Sequence, residues 1–270
     1  MPLRVPDVDP AFWSERYRKI ANVLHLEPES DRKATAMLHS LIEPRAAELG
    51  GLLERLRTLI RSRTIFVFGC GPSLDGQLRR LATVLRASQS PKMAADGAAS
   101  ALLQARIRPD IIVTDLDGNI GDIVRASKAG SIVVLHAHGD NLEAISRWLP
   151  KLANVVPVTQ TEPTTVVRNF GGFTDGDKCL FLAAACRAGA VILIGMDFGT
   201  RIGRRSDPSA SKRPFRERKL AKLAIGRQLA EEILHRTRLP AYSVTPVPLS
   251  TVIRIDPEKV AQLSGAAHNE

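Results

Sequence analysis

Seven aspartates follow short apolar runs or open a helix-like stretch: Asp96, Asp115, Asp117, Asp140, Asp175, Asp177 and Asp197. The densest group is Thr114-Asp115-Leu116-Asp117-Gly118-Asn119, two carboxylates one residue apart. Oxygen-rich pairs of this kind suit Mg²⁺, which keeps several waters and is shared with substrate phosphates. The competing reading is a turn with an Asx cap. Asp96, alone in Ala95-Asp96-Gly97, fits a helix cap better than a ligand. Asp175 and Asp177 lie in Asn169-Phe170-Gly171-Gly172-Phe173-Thr174-Asp175-Gly176-Asp177-Lys178, where acids complement a helix dipole. Lys178 is an odd choice for that purpose and a sensible one beside a phosphate.

Three further turns carry polar groups. Gly69-Cys70-Gly71-Pro72-Ser73-Leu74 lets the backbone approach a ligand, and Ser73 is placed to cap the next helix, whose amides favour phosphate. Without a GK[ST] ending it is not a P-loop, and a simple tight turn explains it equally well. His136-Ala137-His138-Gly139-Asp140-Asn141 offers imidazoles and an acid that can bind a transition metal, orient phosphates or act as a base. Gly195-Met196-Asp197-Phe198-Gly199 adds another acid in a glycine-flanked turn.

These groups need a scaffold that brings them to one edge. Apolar runs at Ile65–Phe68, Lys92–Ala95, Ile111–Thr114, Ile132–Leu135, Val155–Val158 and Val191–Ile194 do not alternate with polar residues, as expected for parallel strands buried on both faces. Most are followed by a helical stretch. The fold expected is α/β, a doubly wound, mostly parallel sheet, with ligands bound beyond the carboxyl ends of the strands. The first sixty residues read as helices: one opens at Pro10, one is capped at Ser30-Asp31, and one runs from Pro44 to Ile60. Arg216–Arg236 reads as a last long helix, and Ala241–Val247 as an edge strand. The division expected is a helical annex at 1–62, a catalytic α/β domain at 63–250 and a tail at 251–270. So many carboxylates on one edge repel one another unless a cation is present. The implied ligand is a metal-bound polyphosphate.

Net charge is +10 over 270 residues. Residues 201–240 carry 12 basic and 4 acidic side chains, so most of the excess is one local patch. Arg201–Pro214 reads either as a solvated loop or as a mobile lid, one or two of whose cations close on a triphosphate. Aromatic residues are only 4% of the chain, which leaves few stacking platforms for single-stranded nucleic acid. Three cysteines, Cys70, Cys179 and Cys186, form neither a disulfide framework nor a CxxC zinc pair. No apolar run approaches the roughly 18 residues a membrane span needs, and Met1–Pro10 has no signal-peptide core. A cytoplasmic protein with no membrane or nucleic-acid partner is expected.

The motifs GCGPSLD, AADGA, PDIIVTDLDG, HAHGDN, NFGGFTDGDK and GMDFG, in that order over roughly residues 65–200, resemble the archaeal 6-hydroxymethyl-7,8-dihydropterin pyrophosphokinase family. Any one is weak; six in order are specific. The resemblance implies Mg²⁺-dependent transfer of diphosphate from ATP to a pterin hydroxymethyl group, giving AMP, in tetrahydromethanopterin or folate-type synthesis, and it suggests a homodimer. More distantly, the layout is similar to the thiamine pyrophosphokinases, whose catalytic domain would be the fold. Their Asp-Gly, Asp-x-Asp and Thr-Asp-x-x-Lys patterns fall here on Asp96-Gly97, Asp115 and Asp117, and Thr174, Asp175 and Lys178. That likeness implies Asp115, Asp117 and Asp175 as metal ligands, with Asp96 behind them or facing substrate. The HAHGDN segment has no counterpart in the thiamine enzymes.

On this reading Gly69, Gly71, Pro72, Ser73, Leu74, Thr174 and Lys178 hold ATP. His138 or Asp140 accepts the hydroxyl proton, and Asp96, Asn169 and Asp197 face the pterin. The rivals are thiamine pyrophosphokinase itself, a metal-dependent glycosyltransferase using the same Asp-x-Asp device, and a nucleic-acid module whose affinity would be salt-sensitive and independent of Mg²⁺.

Overall fold

The computed structural model describes residues 6–206 and 213–266, with side chains from residue 216 onward in the second stretch. Three N-terminal helices come first: α1 (Pro10–Leu24), α2 (Pro28–Ile42) and α3 (Ala46–Ile60). Asp9 caps α1, accepting from the Ala11 and Phe12 amides, and Pro10 takes the first helical position where a missing N–H costs nothing. α2 is capped differently from expectation. It begins at Pro28 after Glu27, so Asp31 lies within the first turn and its carboxylate serves another purpose.

From Thr64 strands and helices alternate: β1 (Thr64–Phe68), α4 (Leu74–Ala87), β2 (Lys92–Ala95), α5 (Ala98–Gln104), β3 (Ile111–Thr114), α6 (Ile120–Lys128), β4 (Ile132–Ala137), α7 (Leu142–Trp148) and β5 (Val155–Thr159). Then come α8 (Asp175–Ala185), β6 (Ala190–Ile194), α9 (Arg213–Thr237), β7 (Ala241–Ser243), β8 (Val252–Arg254) and α10 (Pro257–Leu263). The eight strands form one sheet in the order β5-β4-β3-β2-β1-β6-β7-β8, with every neighbouring pair parallel. The fold is α/β and doubly wound. The strand predicted over Ala241–Val247 is shorter and internal; β8, in the stretch read as a tail, forms the edge, and α10 follows it.

β1 to β6 are buried on both faces, which explains their unbroken apolar runs. On one face α1, α3, α8 and α9 cover Ile65, Val67, Met93, Ile111, Val134 and Leu193. On the other, α4 and α5 cover Phe66, Phe68, Ala94 and Ile112. α6 and α7 cover Val133 and Leu135 in a core that α2 shares through Ala34, Leu38 and Ile42. α2 and α3 pack against β5 and so shield that edge from pairing. Trp13 on α1 meets Phe181 on α8 edge to face, with centroids 5.8 Å apart. Cys179 and Cys186 are buried core thiols.

The chain steps outward from β1 to β5, crosses back through α8, and resumes at β6 on the other side of β1. The connections leaving β1 and β6 therefore diverge, opening a crevice beyond the strand ends.

Candidate active site

The crevice is a cavity of about 420 Å³, lined by groups from every element near that edge. At its floor Asp96, Asp115, Asp117 and Asp175 each offer an oxygen within 4.8 Å of the others. The local backbone builds this cluster. Asp96 and Leu116 adopt left-handed conformations, with φ of 34° and 69°. The Thr114 hydroxyl donates to Asp96 Oδ1 at 2.6 Å and accepts from the Leu116 amide at 2.9 Å, tying the ends of β2 and β3 together. Gly118 is required here, since a Cβ would lie 2.2 Å from Asp96 Oδ2.

The electrostatics are those of crowded acids. Burial raises Asp175 well above the ordinary carboxylate range, and Asp115, Asp96 and Asp117 push it further. Burial, then repulsion by Asp115 and Asp96, lifts Asp117 to about 9. Burial also raises Asp96, against the Thr114 hydrogen bond. For Asp115 burial acts upward too, but the hydrogen bond and charge of His138 outweigh it and hold the group at about 2. An all-oxygen set that must otherwise take up protons fits a hard divalent cation such as Mg²⁺. Asp96 thus joins the predicted three instead of standing behind them.

His138 and Asp140, the two residues expected to offer a base, lie in different surroundings. His138 Nε2 lies 3.1 Å from Asp115 Oδ2, and Nδ1 accepts from the Asp140 amide at 3.3 Å. With Nδ1 facing the Asp140 amide, it is Nε2 that donates to Asp115. His138 orients a carboxylate and is not a free base. The Asp140 side chain sits at the rim, 3.8 Å from the Arg218 guanidinium. Asn141 fixes the segment: its Nδ2 donates to the carbonyls of Asp115 and His136 at 2.8 and 2.7 Å, and its Oδ1 accepts from the His138 amide.

The β1–α4 turn is corrected most. It does not present a ring of free amides to phosphate. The Gly69 amide donates to Ile194, that of Gly71 to Gly195, that of Leu74 to Gly71, and that of Ser73 to Asp197 Oδ2 at 3.1 Å. Pro72 has no N–H. Asp197 therefore sits where an anion would, and it caps α4 in place of Ser73, whose hydroxyl has no partner. Asp197 thus has a structural contact and also lines the cavity. The glycines serve backbone packing, since a Cβ on Gly71 would lie 1.9 Å from Asp197 Oδ2 and 2.6 Å from the Gly195 carbonyl.

At the start of α8 Thr174 and Asp177 form a capping box, with Asp177 accepting from the Phe173 and Thr174 amides at 2.6 and 2.8 Å. Asp177 is thus a cap, while Asp175 faces the cluster. Lys178 is buried, donates to the Gly172 carbonyl at 2.6 Å, and is lowered to about 8 chiefly by burial. Its ammonium is spent on the loop and does not line the cavity. Asn169 likewise holds its own loop, donating to the Thr161 carbonyl at 2.6 Å and accepting from the Gly171 amide at 2.9 Å; it does not face a substrate.

The cations come from elsewhere. Arg201, Arg218, Lys219 and Lys222 line the same cavity, and Lys222 is close enough to favour the charged form of Asp115. Of the predicted lid, 207–212 lie outside the described residues. The stretch before them lies tightly on the site: Gly203 packs on the Cys70 carbonyl, Gly97 on that of Arg205, and Arg205 pairs with Asp75 at 2.9 Å. Sequence reasoning missed another wall, where Leu26, Ser30 and Asp31 from the N-terminal helices meet Gln160 after β5. Asp31 Oδ1 accepts from the Gly139 amide at 2.7 Å, and Oδ2 accepts from Gln160 Nε2 at 2.6 Å and from the Tyr17 hydroxyl. Its early position in α2 made it look like a cap.

Residues 42–203 match the family model described as 6-hydroxymethylpterin diphosphokinase MptE-like. Over 198 residues the chain is 42% identical to the 6-hydroxymethyl-7,8-dihydropterin pyrophosphokinase of Methanothermobacter thermautotrophicus, covering 73% of this chain and 82% of that one. The protein of the same name from Methanocaldococcus jannaschii is 38% identical over 208 residues, covering 75% and 85%. Among solved structures, the MAf glycosyltransferase of Magnetospirillum magneticum AMB-1 aligns with a TM-score of 0.49 and 16% identity, over 74% of this chain and 34% of that one.

Proposed function

The chain belongs to the 6-hydroxymethylpterin diphosphokinase MptE-like family, and from that premise we propose that it transfers diphosphate from ATP to 6-hydroxymethyl-7,8-dihydropterin, releasing AMP. This is a 2-amino-4-hydroxy-6-hydroxymethyldihydropteridine diphosphokinase activity, and it belongs to pterin cofactor synthesis of the tetrahydromethanopterin or folate type. The observation that carries the reading is a four-aspartate cluster in a cavity that Arg201, Arg218, Lys219 and Lys222 also line.

Asp96, Asp115, Asp117 and Asp175 would hold Mg²⁺, which when bound neutralises phosphate oxygens and makes the β-phosphorus more electrophilic. Arg218, Lys219 and Lys222 would steady the triphosphate. His138 and Asn141 keep Asp115 in place through its side chain and its backbone carbonyl. The substrate hydroxyl oxygen bonds to the β-phosphorus as the bond from that phosphorus to the α–β bridging oxygen breaks; AMP leaves with that oxygen, and the hydroxyl proton passes to water. Phosphoryl transfer through a loose transition state rests on positioning and charge more than on a strong base, which agrees with a His138 already committed to Asp115.

Purified protein given ATP, Mg²⁺ and 6-hydroxymethyl-7,8-dihydropterin should yield AMP and the pterin diphosphate. Asp115→Asn should abolish turnover in a folded protein. No AMP over a range of pH, temperature and divalent ions, or turnover of thiamine in place of the pterin, would overturn the assignment.

A further inference from the structure

Two buried polar atoms beside the Asp31 wall have no hydrogen-bond partner of ordinary geometry: His136 Nε2 and Gln160 Oε1. Both residues are 3% exposed, and both line the cavity. An orphaned buried polar atom is costly, so two together call for a reason. Their orientation is imposed from behind. Asp31 can only accept, so the Gln160 amide must turn its nitrogen to Asp31 and its oxygen away. Asp31 is itself held by Gly139 and Tyr17, and the Gln160 carbonyl accepts from the Trp13 indole at 2.8 Å. The oxygen is directed towards His136 and acts on its ring, although the contact misses ordinary hydrogen-bond geometry, so each atom's nearest polar neighbour is the other. Burial, followed by the nearby charge of Lys178, keeps His136 neutral, so its ring can pair with a neutral ligand. The ring lies 5.2 Å, centroid to centroid, from that of His138, which touches Asp115. The orphaned pair therefore stands one imidazole away from the acidic cluster.

We propose that Gln160 Oε1 and His136 Nε2 form the recognition edge for the heterocycle of the acceptor substrate, uncovered as the ring enters. Gln160 accepts from an N–H or exocyclic amino group, and His136 pairs with the neighbouring ring atom of a lactam or amidine edge. Asp31 is the positioning residue. The inference rests on the pterin reading for the identity of the ring and adds where that ring is read. It also gives the N-terminal helices a role in specificity, since α1 and α2 supply Trp13, Tyr17 and Asp31.

The test uses His136→Phe and Gln160→Met, which keep volume and remove the polar atoms, with His136→Gln as the conservative partner. Each is assayed for KM of both substrates, for thermal stability, and for binding of fluorescent 6-hydroxymethylpterin without ATP or metal. The expected result is an increase of about tenfold in pterin KM and pterin Kd for the first two variants, the effect of one hydrogen bond lost. The KM for ATP should be unchanged and affinity partly restored in His136→Gln. Unchanged pterin binding in folded His136→Phe and Gln160→Met would overturn the proposal, as would equal losses for ATP and pterin. If the wild-type protein makes no AMP from the pterin, the functional reading fails on its own. The fluorescence titration then still decides: pterin bound by wild type and lost in the variants upholds the recognition edge, and no binding by wild type ends it.

Discussion

Asp117→Asn should stabilise the metal-free protein and weaken its response to Mg²⁺. Asp117 shares the cluster with Asp115, which is held at about 2 and so is the neighbour fully charged at neutral pH. At 4.8 Å, the outer limit of the cluster, two ionised carboxylates would repel by about 0.9 kcal/mol in water and about 3.5 kcal/mol at an effective dielectric near 20, and wild type escapes this only by holding a proton on Asp117, a cost of at most that size that Asn does not bear. Asp117 is crowded by the other acids on one side and meets solvent on the other, so screening favours the lower part of that range, and the gain expected is about 1–3 kcal/mol. For a chain of this size that is about 2–10 °C in Tm. The pH dependence has a definite sign. Asp117 is raised from its ordinary 3.8 to about 9, so the folded protein keeps a proton that the unfolded chain releases. The stability contribution is fully present below 3.8 and is lost as pH rises through 9. Thermal melts in EDTA from about pH 4 to 9 should show wild-type stability falling and the variant's curve flatter. Added Mg²⁺ should raise the Tm of wild type more than that of Asp117→Asn. A variant less stable than wild type in EDTA at about pH 8, or an equal Mg²⁺ shift in both proteins, would refute the repulsion argument.

Gly71→Ala should destabilise by more than about 2 kcal/mol in denaturant unfolding, because the new Cβ would meet both Asp197 and the Gly195 carbonyl, and neither can yield without breaking the α4 cap. Lys222→Glu should raise the KM for ATP about tenfold or more with little change in Tm, since the side chain lines the cavity, sits 6.0 Å over the Phe173 ring and favours the charged form of Asp115. An unchanged ATP KM would remove α9 from the phosphate site.

Strands buried on both faces advertise themselves, and β2 and β3 fall on the predicted limits. The Asp-x-Asp pair and Asp175 were legible for the same reason: they lie at strand or helix ends, where an α/β sheet exposes its ligands. Residues whose partners are distant in sequence were misread. Ser73 looks like a cap and Asp197 like a ligand until the two are seen to meet, 124 residues apart, at one turn. Lys178 and Asn169 have types suited to a ligand, yet each spends its polar atoms on its own loop.

The local order of apolar runs, turns and acids dictated the class of fold and the chemistry of the cluster, because backbone periodicity and carboxylate crowding act over a few residues. Which polar groups remain free is a matter of long-range pairing. Asp31, Gln160 and His136 lie in three separate stretches, and only the packing of α1 and α2 against the ends of β4 and β5 leaves two of their atoms unpaired at the cavity wall. Hydrogen-bond accounting closes over the whole fold, so a segment read alone cannot reveal which donors and acceptors are left for a ligand.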